Sequence, residues 1–210
     1  MKFVLTYDGE LPSNGDYRKK WEIRKHFHPQ LQELWQTHPS LHDMQYRRYV
    51  HQSGQMMMET HHTVAGPAMK RPPEDKMHEY RDVQGPILRG DREFLPIVRS
   101  DLALVCGLKI QFLRKEAPGR LIQEGDLDNR LKTLFDALSA PDQQQIVPDT
   151  TIEGPIYCLM ENDALIAGVT IETQRLLTRP NSSIREVHLV IEVDVRVTQA
   201  RYYNHPFLGD

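Results

Sequence analysis

Two aspartates, Asp126 and Asp128, stand two residues apart in Gly125-Asp126-Leu127-Asp128-Asn129-Arg130-Leu131-Lys132. Along an extended approach to a helix, that spacing projects both carboxylates to one side, which suits a shared cation. Mg2+ takes a few carboxylate oxygens, keeps several waters and completes its shell with substrate phosphate. Mn2+ shares the preference for hard oxygen ligands and is the alternative ion. Lys132 follows Asp128 by four residues, so on a helix its ammonium returns to the same face and can neutralise a phosphate or a developing charge. A third acid is wanted from a separate element, and Glu161-Asn162-Asp163 supplies Asp163 at the start of an apolar alternation. The two aspartates of the motif also have a plainer use. Aspartate is preferred at helix starts, where it caps free N–H groups and complements the dipole.

The elements around the motif can be read from period. Leu131, Leu134, Phe135 and Leu138 fall at i, i+3, i+4 and i+7 and predict a short amphipathic helix over residues 129 to 139, with Asp128 as its N-cap. Ahead of it, Leu108, Ile110 and Phe112 alternate with Lys109, Gln111 and Leu113 as in a half-buried strand that Ala117-Pro118-Gly119 ends. Residues 139 to 157 are polar and turn-rich, and Leu165, Ala167, Val169 and Ile171 then alternate as another strand. Val187, Leu189, Ile191, Val193, Val195 and Val197 share one parity against Glu186, His188, Glu192, Asp194 and Arg196, which predicts a strand with one wet face.

At the N-terminal end, residues 2 to 7 read as a short strand and Leu11-Pro12-Ser13-Asn14-Gly15 as a turn. Trp21, Ile23, Phe27, Leu31, Leu34 and Trp35 then form a helical apolar face, in which Pro29 starts a second helix or kinks the first. Together these predict an α+β two-layer sandwich with a mixed β-sheet and helices packed on one face. Residues 37 to 100 break the pattern and read as an excursion, a flap or cover with short strands; residues 139 to 157 are a shorter insertion in the single domain 1–210. The excursion carries His51, His61, His62 and His78, which without HExxH or Cys/His pairing read as surface or structural histidines.

Composition narrows the class. The 26 Lys+Arg against 29 Asp+Glu, a formal charge of −3, do not advertise a nucleic-acid binder, yet a near-neutral total can hide an acidic site ringed by basic patches. Arg18, Lys19, Lys20, Arg24 and Lys25 form the most basic stretch, either a solvated helix face or phosphate contacts. Arg114, Lys115 and Arg120, between strand and motif, are favoured over Lys19 and Lys20 as phosphate contacts, and Arg130 lies within the motif. Cys106 and Cys158 sit in apolar stretches without CxxC spacing and read as reduced core residues. No apolar run is long enough to span a bilayer or act as a signal peptide, so the expectation is a cytoplasmic protein with no membrane partner.

The segment from Asp126 to Leu138 resembles the signature of the RusA family of Holliday-junction resolvases, Asp-x-Asp-Asn-x-x-Lys-x-x-x-Asp-Ala-Leu. Leu11-Pro12-Ser13-Asn14 is similar to the Pro-Ser-Asn turn after that family's first strand, and Glu161-Asn162-Asp163 resembles the acidic element after its helix. Roughly the first 25 residues, residues 102 to 138 and residues 158 to 197 are covered. The resemblance implies a RusA-like fold with a long insertion, Asp126, Asp128 and Asp163 as Mg2+-binding catalytic acids, and Lys132 as an essential lysine. Asn162 stands where members typically have another aspartate. The long polar segment ahead of Asp163 leaves Asp149, Glu153 and Glu161 as alternative third ligands.

The expected activity is Mg2+-dependent, structure-selective hydrolysis of DNA phosphodiesters at four-way junctions in recombination and repair, without an organic cofactor or covalent nucleophile. A four-way junction has approximate two-fold symmetry, so paired incisions imply a homodimer; strand 187 to 197 and helix face 131 to 138 are interface candidates unless they are core. Two alternatives stay open. One is a metal nuclease acting on flaps, single strands or RNA, and the other a non-catalytic module that binds nucleic acid or protein on the same fold.

Overall fold

The computed structural model describes residues 1–44, 49–51, 60–63, 66–69, 74–82, 86–115, 126–177 and 186–208. In chain order the elements are β1 (Lys2–Glu10), α1 (Tyr17–Thr37), α2 (Pro39–Met44), β2 (Tyr49–His51), β3 (Thr60–Thr63), β4 (Gly66–Met69), β5 (Tyr80–Asp82), β6 (Ile87–Arg89), β7 (Arg92–Val98), β8 (Leu104–Arg114), α3 (Asp126–Leu138), β9 (Ile156–Met160), β10 (Ile166–Arg175) and β11 (Glu186–Val197).

The main sheet has the order β1-β11-β8-β10. β11 runs antiparallel to both β1 and β8, and β10 runs parallel to β8, so the sheet is mixed and the architecture α+β. Period 2 builds it. Leu104, Cys106, Leu108, Ile110 and Phe112 of β8 and Val187, Leu189, Ile191, Val193 and Val195 of β11 are buried, while the alternate residues carry cross-strand pairs such as Lys109 with Glu192 at 3.3 Å. Phe27 and Leu31 of α1 and Leu131, Leu134 and Leu138 of α3 close the same core. Each such side chain contributes about 1.5–3 kcal/mol relative to exposure.

α1 runs unbroken through Pro29, with Trp21, Phe27, Leu31 and Trp35 buried on either side of it, so packing of the apolar face outweighs the one hydrogen bond that proline removes. α3 starts at Asp126, three residues earlier than the apolar stripe alone predicts. A second sheet, β6-β7-β9, brings the end of the 37–100 excursion into the core: Phe94, Ile97 and Val98 of β7 and Ile156, Cys158, Leu159 and Met160 of β9 are core residues. The rest of the excursion contributes the strand pairs β2–β5 and β3–β4. Cys106 and Cys158 are buried free thiols, pushed up by burial to about 11 and about 12. Among the described residues no helix is long and apolar enough to cross a membrane.

β10 is the edge that bears on function. Among the described residues it pairs with β8 alone, leaving its other edge open. Val169 stands opposite Leu108 and Ile171 opposite Ile110, on the core face of the sheet, yet Val169 is 40% exposed; Ala167 is exposed at the register shift between Ile166 and Gly168. The apolar cover over β8 thins out across β10.

Candidate nucleic-acid and metal site

α3 is fastened to the N-terminal part of the chain at both ends. At its start, the Gly15 N–H donates to Thr133 Oγ1 at 2.9 Å, and Arg130 Nη1 donates to the Leu11 carbonyl at 3.1 Å. A Cβ on Gly15 would lie 2.7 Å from Thr133 Cγ2, so only glycine allows this approach. At its end, the buried guanidinium of Arg24 donates to the carbonyls of Asp136 at 2.7 Å and Ser139 at 3.1 Å, and Lys20 meets the Asp136 carboxylate at 2.7 Å. Arg24 thus satisfies carbonyls that the end of a helix leaves without partners. Burial holds its pKa down at about 10.

On this anchored helix Asp128 and Lys132 are both exposed and one turn apart, as their i, i+4 spacing requires. Asp126 is the first helical residue, which corrects two expectations. Asp128 lies inside the first turn and is not the N-cap, and the backbone from Asp126 on is helical where an extended approach was expected. The Asp126 side chain lies outside the described residues. Among the described residues no three Asp, Glu, His or Cys side chains gather as a metal cluster.

Asp163 is set apart from this group. It is exposed in the 3₁₀ turn before β10, whose first residue Ile166 stands opposite Cys106 near the start of β8. The first turns of α3 lie against the turn that follows β1, at the end of the sheet where Gly9 and Val187 pair and Val187 stands opposite Arg114. From Cys106 to Arg114 is about 26 Å of strand. The end of α3 agrees, because Ser139 bridges to Met160, three residues before Asp163, and about 16 Å of helix separates Asp128 from Ser139. A single chain therefore holds Asp128 and Asp163 at opposite ends of β8 and does not bring them to one ion.

The alternative acids are engaged elsewhere. Glu161 Oε2 accepts from Ser100 N at 3.1 Å and Ser100 Oγ at 2.8 Å. Asn162 Oδ1 accepts from Ala164 N at 3.1 Å, so the amide that stands in an aspartate's place caps a turn. Glu153 is exposed in the segment before β9. Asp149 accepts from Thr151 Oγ1 and N and from Trp21 Nε1 at 3.0 Å, and meets Lys25 at 3.3 Å.

The hydroxyl of Thr151, then the Trp21 indole, hold the Asp149 carboxyl well below the usual range. A depressed carboxyl adds stability above its unfolded value near pH 4, and that stability is lost as pH falls through the acid range toward the folded value. Asp149→Asn is expected to be about 2 kcal/mol less stable at pH 7, the scale of hydrogen bonds to a charged group. Urea unfolding at pH 7 and pH 3 should show the gap from wild type narrowing in acid; an unchanged gap would contradict this assignment.

The basic candidates divide. Arg114 is buried, because it shares parity with Leu108, Ile110 and Phe112, and is corrected from a phosphate contact to a core residue at the end of β8. Lys20 is spent on Asp136 and Arg130 on Leu11. Lys115 is half-buried just after β8, and Arg120 lies outside the described residues. Lys19 is exposed on the first turn of α1, where the Asp16 carboxylate caps the helix by accepting from Lys19 N at 2.9 Å. His51, His61 and His62 fall on β2 and β3, their side chains outside the described residues, and His78 is exposed.

Arg24 and the β7–β9 sheet were missed by periodicity. The available signal was an arginine inside the apolar stripe of α1, flanked by Trp21, Ile23 and Phe27. No protein-family model matches the chain, and neither the curated proteins nor the solved structures include a match to it.

Proposed function

We propose that this protein is a Mg2+-dependent endonuclease of RusA type that hydrolyses DNA phosphodiesters at four-way junctions, working as a homodimer. The observation that carries the reading is the pairing of exposed Asp128 with exposed Lys132 on the first turns of a helix anchored by Gly15–Thr133 and Arg130–Leu11. Hard carboxylate oxygens suit Mg2+ or Mn2+ rather than softer metals. Asp126 and Asp128 would hold the ion, which when bound activates water and offsets charge on the phosphate.

Lys132 meets a non-bridging oxygen of the scissile phosphate, and Lys19 receives a neighbouring phosphate. The 11–15 turn anchors α3, so Asp128 and Lys132 are carried on a fixed helix before substrate arrives.

Asp163 enters from a second copy in this reading. A two-fold axis through the open edge of β10 pairs two β10 strands antiparallel, and antiparallel pairing reverses ends. Asp163 of one copy then approaches the end of the sheet where α3 of the other begins. The uncovered Val169 gains cover in the same step, whereas the other interface candidates, strand 187 to 197 and helix face 131 to 138, are already core.

One observation favours a second reading: in a lone chain the acids do not meet, so a protein that stays monomeric would be a non-catalytic binding module. Cleavage of a labelled four-way junction with and without Mg2+ separates the two. Mg2+-dependent cuts support the nuclease, and binding without cuts overturns it.

A further inference from the structure

We propose that Tyr17, flanked by Arg18, is a stacking platform for a nucleobase that has left its duplex next to the site. The inference rests on the nuclease reading above and names the feature of the DNA that the site selects. Three observations carry it. Tyr17 is the first residue of α1, placed beside α3 by a constructed turn: Asn14 at φ 57°, the close Gly15–Thr133 contact and the Asp16 cap. The residue is 41% exposed, and among the described residues it is the one aromatic among the large exposed apolar side chains. Arg18 Nε donates to Tyr17 Oη at 3.2 Å with its guanidinium carbon 5.7 Å from the ring centroid, so a cation that can also meet phosphate lies against the ring.

An exposed ring beside cationic Arg18 and Lys19 combines the two parts of a single-strand site, a stacking face and a backbone charge. A base inside a duplex has both faces covered by its neighbours, so Tyr17 adds affinity only where a base is unstacked, as at a branch point or in a single strand. Phosphate contacts from Lys19 act on any DNA. The ring would thus confer structure selectivity that charge alone does not supply.

Fluorescence anisotropy of the full chain without divalent metal tests this on labelled oligo(dT), a four-way junction and a blunt duplex. Tyr17→Ala is expected to weaken oligo(dT) and junction binding about tenfold, about 1.4 kcal/mol, and to leave duplex binding unchanged, while Tyr17→Phe keeps wild-type affinities. Equal weakening on all three DNAs, or no weakening on any, overturns the platform, as does loss in Tyr17→Phe equal to that in Tyr17→Ala. Matched thermal unfolding of the two variants excludes a folding effect. Failure of the nuclease reading registers separately, as absence of Mg2+-dependent cleavage by wild type. A wild-type protein that binds none of the three DNAs overturns both.

Discussion

Asp128→Asn and Asp163→Asn proteins, each inactive alone, are expected to regain junction nicking when unfolded together and refolded as a mixture. Removing a residue that only supports a metal ligand commonly costs 10–100-fold, so loss of a ligand should cost on the order of 100-fold or more. In a two-fold dimer that takes Asp128 from one copy and Asp163 from the other, a mixed dimer places both substitutions in one site and leaves the second intact. Random pairing makes half the dimers mixed, so about a quarter of the wild-type sites return. Those dimers cut one strand of the pair. A mixture as dead as its components would mean that the acids work within one chain, against their placement at opposite ends of β8. An Asp163→Asn protein with wild-type activity would remove Asp163 from the site.

The second large effect is on stability. Arg24→Met is expected to destabilise the fold by about 3 kcal/mol, because it leaves the Asp136 and Ser139 carbonyls buried without donors and removes a guanidinium stacked 5.6 Å from the Trp21 ring. For a domain of this size that corresponds to a fall in Tm of roughly 6–12 °C. Arg24→Lys should recover little, since one ammonium lacks the planar fork that reaches two carbonyls at once. Urea and thermal unfolding measure both. A cost under about 1 kcal/mol for Arg24→Met would show that α3 does not depend on this cap.

Much of the fold was legible because period 2 and period 3.6 report burial directly. The alternations at 108–113 and 187–197 mark β8 and β11, and the stripe Leu131, Leu134, Leu138 marks α3. β7 was not legible: Pro96 interrupts its pattern, and burial of consecutive Ile97, Val98 and Arg99 hides any alternation. Arg114 was misjudged by weighing its nearness to the motif over its parity with Phe112.

The position of Asp163 lay beyond sequence reading for a different reason. Local spacing places a residue on an element, but which end of the sheet it occupies depends on β10 running parallel to β8, a long-range pairing. The i, i+4 relation of Asp128 and Lys132 survived because it is local; the two-apart argument for Asp126 and Asp128 lost its premise of an extended backbone, because the helix begins at Asp126.

The central claim is that the first turns of α3 form a metal-dependent phosphodiesterase site. Its most direct test is cleavage of a labelled synthetic four-way junction beside linear duplex and single strand of the same sequences, with and without Mg2+, by wild type and Asp128→Asn. The account predicts symmetric, Mg2+-dependent cuts on the junction that fall on the order of 100-fold in the variant. Cuts that persist in Asp128→Asn, or junction binding without any cut, would contradict it.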